Sequence, residues 1–163
     1  MRKIKRRKPH WIVRVKKLVH KKEVKDWCKL PYHNHPKGCP NYGKKEKCPP
    51  QSKYITEIIN INKPMFMVFS EFDLEKHISK MKKKHPYWSN HQLRNVLYWQ
   101  NTSRKQLKER VKKAQAILGT EVIIYMAESN GVNVYATAFH SGLKLEKIKN
   151  LKINRHIAFL GYR

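Results

Sequence analysis

Apolar residues along the chain fall into short blocks whose period changes from block to block. Residues 11–19 (WIVRVKKLV) are rich in β-branched side chains and predict a first strand. Residues 54–61 form a second apolar block. After Asn62-Lys63-Pro64 comes Met65-Phe66-Met67-Val68-Phe69, an unbroken run that predicts a buried strand. Asp73 is placed to cap a helix with Leu74, Ile78 and Met81 on its apolar face, ended by His85-Pro86. Ser89 and Gln92 have the spacing of a capping box before a second helix, with Leu93, Val96 and Leu97 inward. Ser103 and Gln106 repeat that spacing before a third, carrying Leu107, Val111, Ala114 and Leu118 on one face and stopped by Gly119. A strand over 122–126, a short helix from Val134 to His140 capped by Asn133, and a last strand over 157–160 complete the series.

Alternating strands and helices predict an α/β or α+β fold. The expectation is one compact domain with a small mixed sheet and about three to four helices. Residues 1–10 are expected to form a basic disordered tail and residues 11–163 the domain. Only the stretch from Trp27 to Ser52 lacks apolar periodicity, being dense in Pro, Gly, Asn, His and Cys. A loop of that length is uncommon in a compact domain unless something cross-links it.

Charge changes the picture more than composition does. The 163 residues carry 37 Lys plus Arg against 11 Asp plus Glu, a formal +26. Such an excess attracts polyanions, because each neutralised phosphate releases counterions. A lysine-rich thermophile surface is a poor alternative, since it would bring Glu along with Lys. RNA or DNA is therefore the expected partner on charge, with RNA (tRNA or rRNA) favoured. No apolar run reaches the roughly 18–20 residues of a membrane span. The basic N-terminus has no apolar stretch of a secretory signal behind it, so a cytoplasmic protein without a membrane partner is expected.

All three cysteines lie in the aperiodic loop, at Cys28, Cys39 and Cys48. An odd number in a reducing compartment argues against a disulfide framework and leaves metal, a reactive thiol or plain burial. Their spacing is too wide for the paired knuckle of zinc ribbons. Cys39 and Cys48 are each followed by proline, a neighbour often found beside iron–sulfur cysteines. Lys29, Lys37, Lys44, Lys45 and Lys47 stand nearby and are expected to favour the thiolate forms that metals require. Three thiolates on a four-iron (4Fe–4S) cluster leave one iron open to a substrate, water or sulfide. With His33 or His35 as fourth ligand, the same loop draws a closed zinc site. Ligand count alone does not choose between them.

The run Gly38-Cys39-Pro40-Asn41-Tyr42-Gly43, followed by Cys48-Pro49-Pro50, resembles the signature of the uncharacterised "predicted metal-binding protein" family of archaea and anaerobic bacteria. Glu128, then Gly131 to Ala138 and Gly142-Leu143, is similar to a second segment of that family. Many members carry further cysteines just before this segment, where the present chain has Thr120 to Ala127 and none. The resemblance implies a metal, with iron–sulfur favoured, and no settled reaction.

The expectation is thus a metal-binding protein, iron–sulfur on Cys28, Cys39 and Cys48, acting on RNA, for example in nucleoside sulfur chemistry. Lys37, Lys44, Lys45 and Lys47, with Tyr32 and Tyr42 as stacking platforms, are the expected nucleic-acid contacts. The competing expectation is a non-enzymatic, zinc-stabilised RNA- or ribosome-binding protein. Whether the chain is an enzyme stays open. His140, beside Glu128 in the second segment, is a candidate acid, base or ligand. As a lone histidine at a helix end, it reads more readily as structural.

Overall fold

A computed structural model of the chain describes residues 7–32 and 35–163. Its centre is a four-stranded sheet in the order β1-β2-β6-β4, built from β1 (Ile12–Arg14), β2 (Phe66–Phe69), β4 (Val122–Ile124) and β6 (Ile157–Gly161). A two-stranded sheet pairs β3 (Phe72–Asp73) with β5 (Ile153–Asn154). The α/β expectation holds. The mixed sheet does not, for every pairing is antiparallel, with Ile12 opposite Val68, Phe66 opposite Leu160 and Ile124 opposite Phe159.

The reason lies in how the sheet is covered. Along β2, Phe66 and Val68 face one way and Met67 and Phe69 the other, as the period of two requires. All four are buried. The first pair joins Ile12, Ala158 and Leu160 beneath α4 (Gln100–Leu118), which contributes Leu107, Val111 and Ala114. The second pair joins Phe159, Val122 and Ile124 against α1 (Ile55–Ile58) and α5 (Val134–His140), through Ile55, Val134 and Ala138. An antiparallel strand buried on both faces reads as a continuous apolar run, the pattern that parallel sheets usually produce.

Helix ends follow local chemistry. Asp73 accepts a hydrogen bond from Lys76 N at the start of α2 (Leu74–Lys84), and Ser89 and Gln92 close a full capping box on α3 (Asn90–Leu93). Asn133 caps α5 through Ala136 N, and Gly119 ends α4 in the left-handed conformation. Ser103 departs from expectation. The helix begins one turn earlier, at Gln100, so Ser103 lies inside α4, where it is buried and bonded to Ser70 and His156. Nor does the second helix bury Val96 and Leu97: it stops at Leu93, and both stay exposed in a 3-10 turn. Of the expected tail, residues 1–6 lie outside the described residues. Lys8 stands over the Phe66 ring, and His10 meets Glu71 at 2.6 Å. No helix among the described residues is long and apolar enough to cross a membrane.

Candidate metal centre

The cysteine loop is held by specific bonds rather than by regular structure. It leaves a 3-10 segment, Lys22–Lys29, that ends on Cys28 and Lys29. Cys39 N donates to Cys28 O at 2.7 Å, drawing two cysteines eleven positions apart side by side. Gly38 makes this approach feasible. It sits at φ +81°, and a Cβ there would lie 2.5 Å from Cys28 O and 2.6 Å from Lys29 O. The third cysteine is anchored where Ser52 N donates to Cys48 O and Gly43 N to Pro49 O. Lys25 Nζ ties the far end back, donating to Pro50 O at 3.0 Å and Ser52 O at 2.5 Å.

The loop docks on the turn that carries the second sequence segment. Ser52 Oγ donates to Ser129 O, and Asn130 Nδ2 to Lys53 O at 2.7 Å. That turn is a 3-10 segment, Ala127–Asn130, completed by Gly131. Two motifs separated by some eighty positions of sequence thus form one structural unit, and Glu128 is part of it.

Cys39, Cys48 and Glu128 all lie close enough to Cys28 to act on it electrostatically. Burial first, then these three acidic neighbours, push the Cys28 thiol above its ordinary value. This reverses the expectation that nearby lysines would favour its thiolate. Several of those lysines are committed elsewhere or point into solvent: Lys29 bonds Tyr42 and Asp26, while Lys37, Lys44, Lys45 and Lys47 are exposed. Crowding from the surrounding protein likewise raises the Glu128 carboxyl. Glu128 keeps solvent contact, so this push belongs to a partly desolvated cleft group rather than to a core carboxylate.

Cys39 and Cys48 each act on Cys28 electrostatically, but the three thiols do not form a ligand set. Among the described residues, no three His, Cys, Asp or Glu side chains form a group able to hold a metal ion. Of the two candidate fourth ligands, His33 lies outside the described residues. His35 packs its ring on Tyr32, with centroids 4.6 Å apart, and pairs with it through the backbone. Tyr32 is 51% exposed, whereas Tyr42 is half-buried under the Lys29 ammonium, 4.9 Å from its ring. His140 is exposed and touches Phe139.

The sequence reading missed a second group of polar residues. Ser70, Ser103, Asn154 and His156 form a network at 2.8–3.3 Å between β2, α4 and the β5–β6 turn. It borders a cleft of about 570 Å³ whose lining includes Arg104, Lys108, Arg155, His156 and Glu128. No motif marks it; the only sequence signal is the spacing of Arg104 and Lys108, one turn apart on α4. Comparison of the chain with family models, curated proteins and solved structures finds no significant match.

Proposed function

We propose that this protein is a metal-binding, iron–sulfur protein that acts on RNA, with Cys28, Cys39 and Cys48 as the protein ligands of a four-iron cluster. What supports the reading is the relation of the other two cysteines to Cys28. Cys39 and Cys48 both lie within electrostatic reach of Cys28, on a loop whose backbone bonds serve this juxtaposition. Thiolates drawn onto one centre repel one another, and a cationic inorganic core removes that repulsion. Closure of the ligand set would accompany loading, because metal binding and local ordering are coupled. A cluster held by three cysteines supplies an open iron, which suits sulfide or a substrate sulfur. Support for RNA comes from the +26 charge and from the exposed lysines around the loop.

The test is elemental analysis of protein purified without air, joined to RNA binding across a salt series. The expected result is about four iron and four acid-labile sulfide per chain. Single-stranded RNA should bind with an affinity that falls steeply with salt. Stoichiometric zinc without sulfide overturns the cluster, and weak polyanion binding even at low salt overturns the RNA partner.

A further inference from the structure

The cleft beside Glu128 has a composition that neither the loop nor the sheet requires. Its volume of about 570 Å³ falls within the range of about 300–1,000 Å³ common for small-molecule sites. Leu107, Met126, Val134, Leu145 and Ile157 give it apolar walls. Two tyrosines stand at it with much of their surface open, Tyr125 at 45% and Tyr135 at 53% exposure. Burying large aromatics is favourable, so two of them left open in a concave site are available for stacking.

The polar lining is cationic. Arg104 and Lys108 lie on one face of α4 because they are four positions apart. Arg155 joins them from the β5–β6 turn; its Nη2 stands 4.0 Å from Glu71 Oε2, while its Nε is buried without a hydrogen-bond partner. Of the two carboxylates present, Glu146 is engaged already: its Oε2 accepts from Lys152 N at 2.7 Å and Ile153 N at 3.0 Å. His156 adds a neutral donor. Its Nδ1 stands 3.0 Å from Asn154 Nδ2, an amide nitrogen that can only donate, so Nδ1 accepts and the ring proton resides on Nε2. No protein group among the described residues bonds that Nε2–H.

Cations for a phosphate, open aromatic faces for a planar ring and a neutral donor for its edge describe one kind of ligand. We propose that this cleft binds a single nucleotide unit, with its phosphate on Arg104, Lys108 and Arg155 and its base against Tyr125 and Tyr135. The proposal rests on the RNA-binding reading and narrows it to one site. Because Glu128 belongs both to the cleft lining and to the surroundings of Cys28, a nucleotide seated there lies beside the cysteine loop. The unit comes either from a free mononucleotide or from a nucleotide within single-stranded RNA, and the ligand chemistry is the same.

Calorimetric titration of the full chain with uridine monophosphate, uridine and inorganic phosphate tests the site. A parallel binding assay with a labelled oligouridylate tests the source. Arg104→Gln and Lys108→Gln should each weaken mononucleotide binding about tenfold. Tyr135→Ala should weaken it about tenfold while leaving inorganic phosphate unaffected. All three positions are exposed, so these variants keep the core intact. Lys82→Gln, on the exposed side of α2, serves as the control for net charge and should change neither. Oligouridylate binding that falls together with mononucleotide binding identifies RNA as the source; mononucleotide binding that falls alone identifies the free nucleotide. A mononucleotide that binds no more tightly than phosphate, or cleft variants that behave like Lys82→Gln, overturns the proposal. If RNA still binds with a steep salt dependence, that result leaves the RNA reading standing. Absence of RNA binding by the wild-type chain overturns the RNA reading, and the cleft then stands only on mononucleotide binding that its variants weaken.

Discussion

Replacing Gly38 by alanine perturbs the contact that brings Cys28 and Cys39 together, and Gly43 supplies an internal control. Both glycines have positive φ, +81° and +74°. An alanine in that region costs about 1–2 kcal/mol in either place. Only Gly38 is also confined: its new Cβ would lie 2.5 Å from Cys28 O and 2.5 Å from Lys29 C, against nothing within 4 Å at Gly43. The obstacle is backbone, so the 38–39 and 28–29 segments must separate, weakening the 2.7 Å bond from Cys39 N to Cys28 O. Losing that bond adds about 1 kcal/mol, and the displacement moves one thiol relative to the others. Gly38→Ala is therefore expected to lose most of its iron and sulfide, while Gly43→Ala retains them with only the shared conformational cost. Iron and sulfide per chain after anaerobic purification, read beside thermal unfolding of both variants, is the assay. Equal loading of the two variants would refute the reasoning.

Other positions test the scaffold. Ser103→Ala removes a buried hydroxyl shared by Ser70, Asn154 and His156. It should cost about 1–3 kcal/mol, seen as a lower urea midpoint at unchanged m. Burial alone would raise the Glu71 carboxyl, but its bonds to His10 and Arg110 outweigh this and lower it. Glu71→Gln should thus destabilise by about 1 kcal/mol near neutrality, allowing for solvent screening. The difference should be full above the ordinary value of 4.5 and vanish as pH falls through the lowered one, as equilibrium unfolding of the two proteins at a series of pH values would show. Burial, then Arg104, hold His156 below its ordinary 6.5. Acidification through 6.5 protonates the unfolded chain first, so stability should drop from there down to the lowered value and then level off. Urea titrations should show a steeper slope in the wild type than in His156→Gln, which keeps the contribution of His77, also held low by burial and then Lys80.

What could be read from the sequence was local. Asp73, Ser89, Asn133 and Gly119 act through bonds to residues a few positions away, and each behaves as its type and spacing require. Ser103 has the same spacing to Gln106, yet tertiary partners take its hydroxyl, so the local pattern misplaced the helix start by a turn. The first strand shortened for a similar reason. Beyond Val15, whose N–H still bonds Met65 O, the chain turns to α5 and its C-cap, through Val19 N to Thr137 Oγ1 and Lys16 N to Ser141 Oγ. At the candidate centre, clustering of the cysteines in one loop was visible, but the docking of that loop on Glu128–Gly131 was not, because it depends on bonds spanning 77 positions. The cleft was hidden for the opposite reason. Arg104 and Lys108 look like any solvated helix face until Arg155, Tyr125 and Tyr135 are brought opposite by the fold.

The visible absorption spectrum of protein prepared and kept without air bears most directly on the claim that Cys28, Cys39 and Cys48 share one inorganic centre. A brown protein with a broad sulfur-to-iron charge-transfer band, lost on changing any one of the three to serine, is the result the account predicts. A colourless protein whose three thiols all react as free cysteines would contradict it.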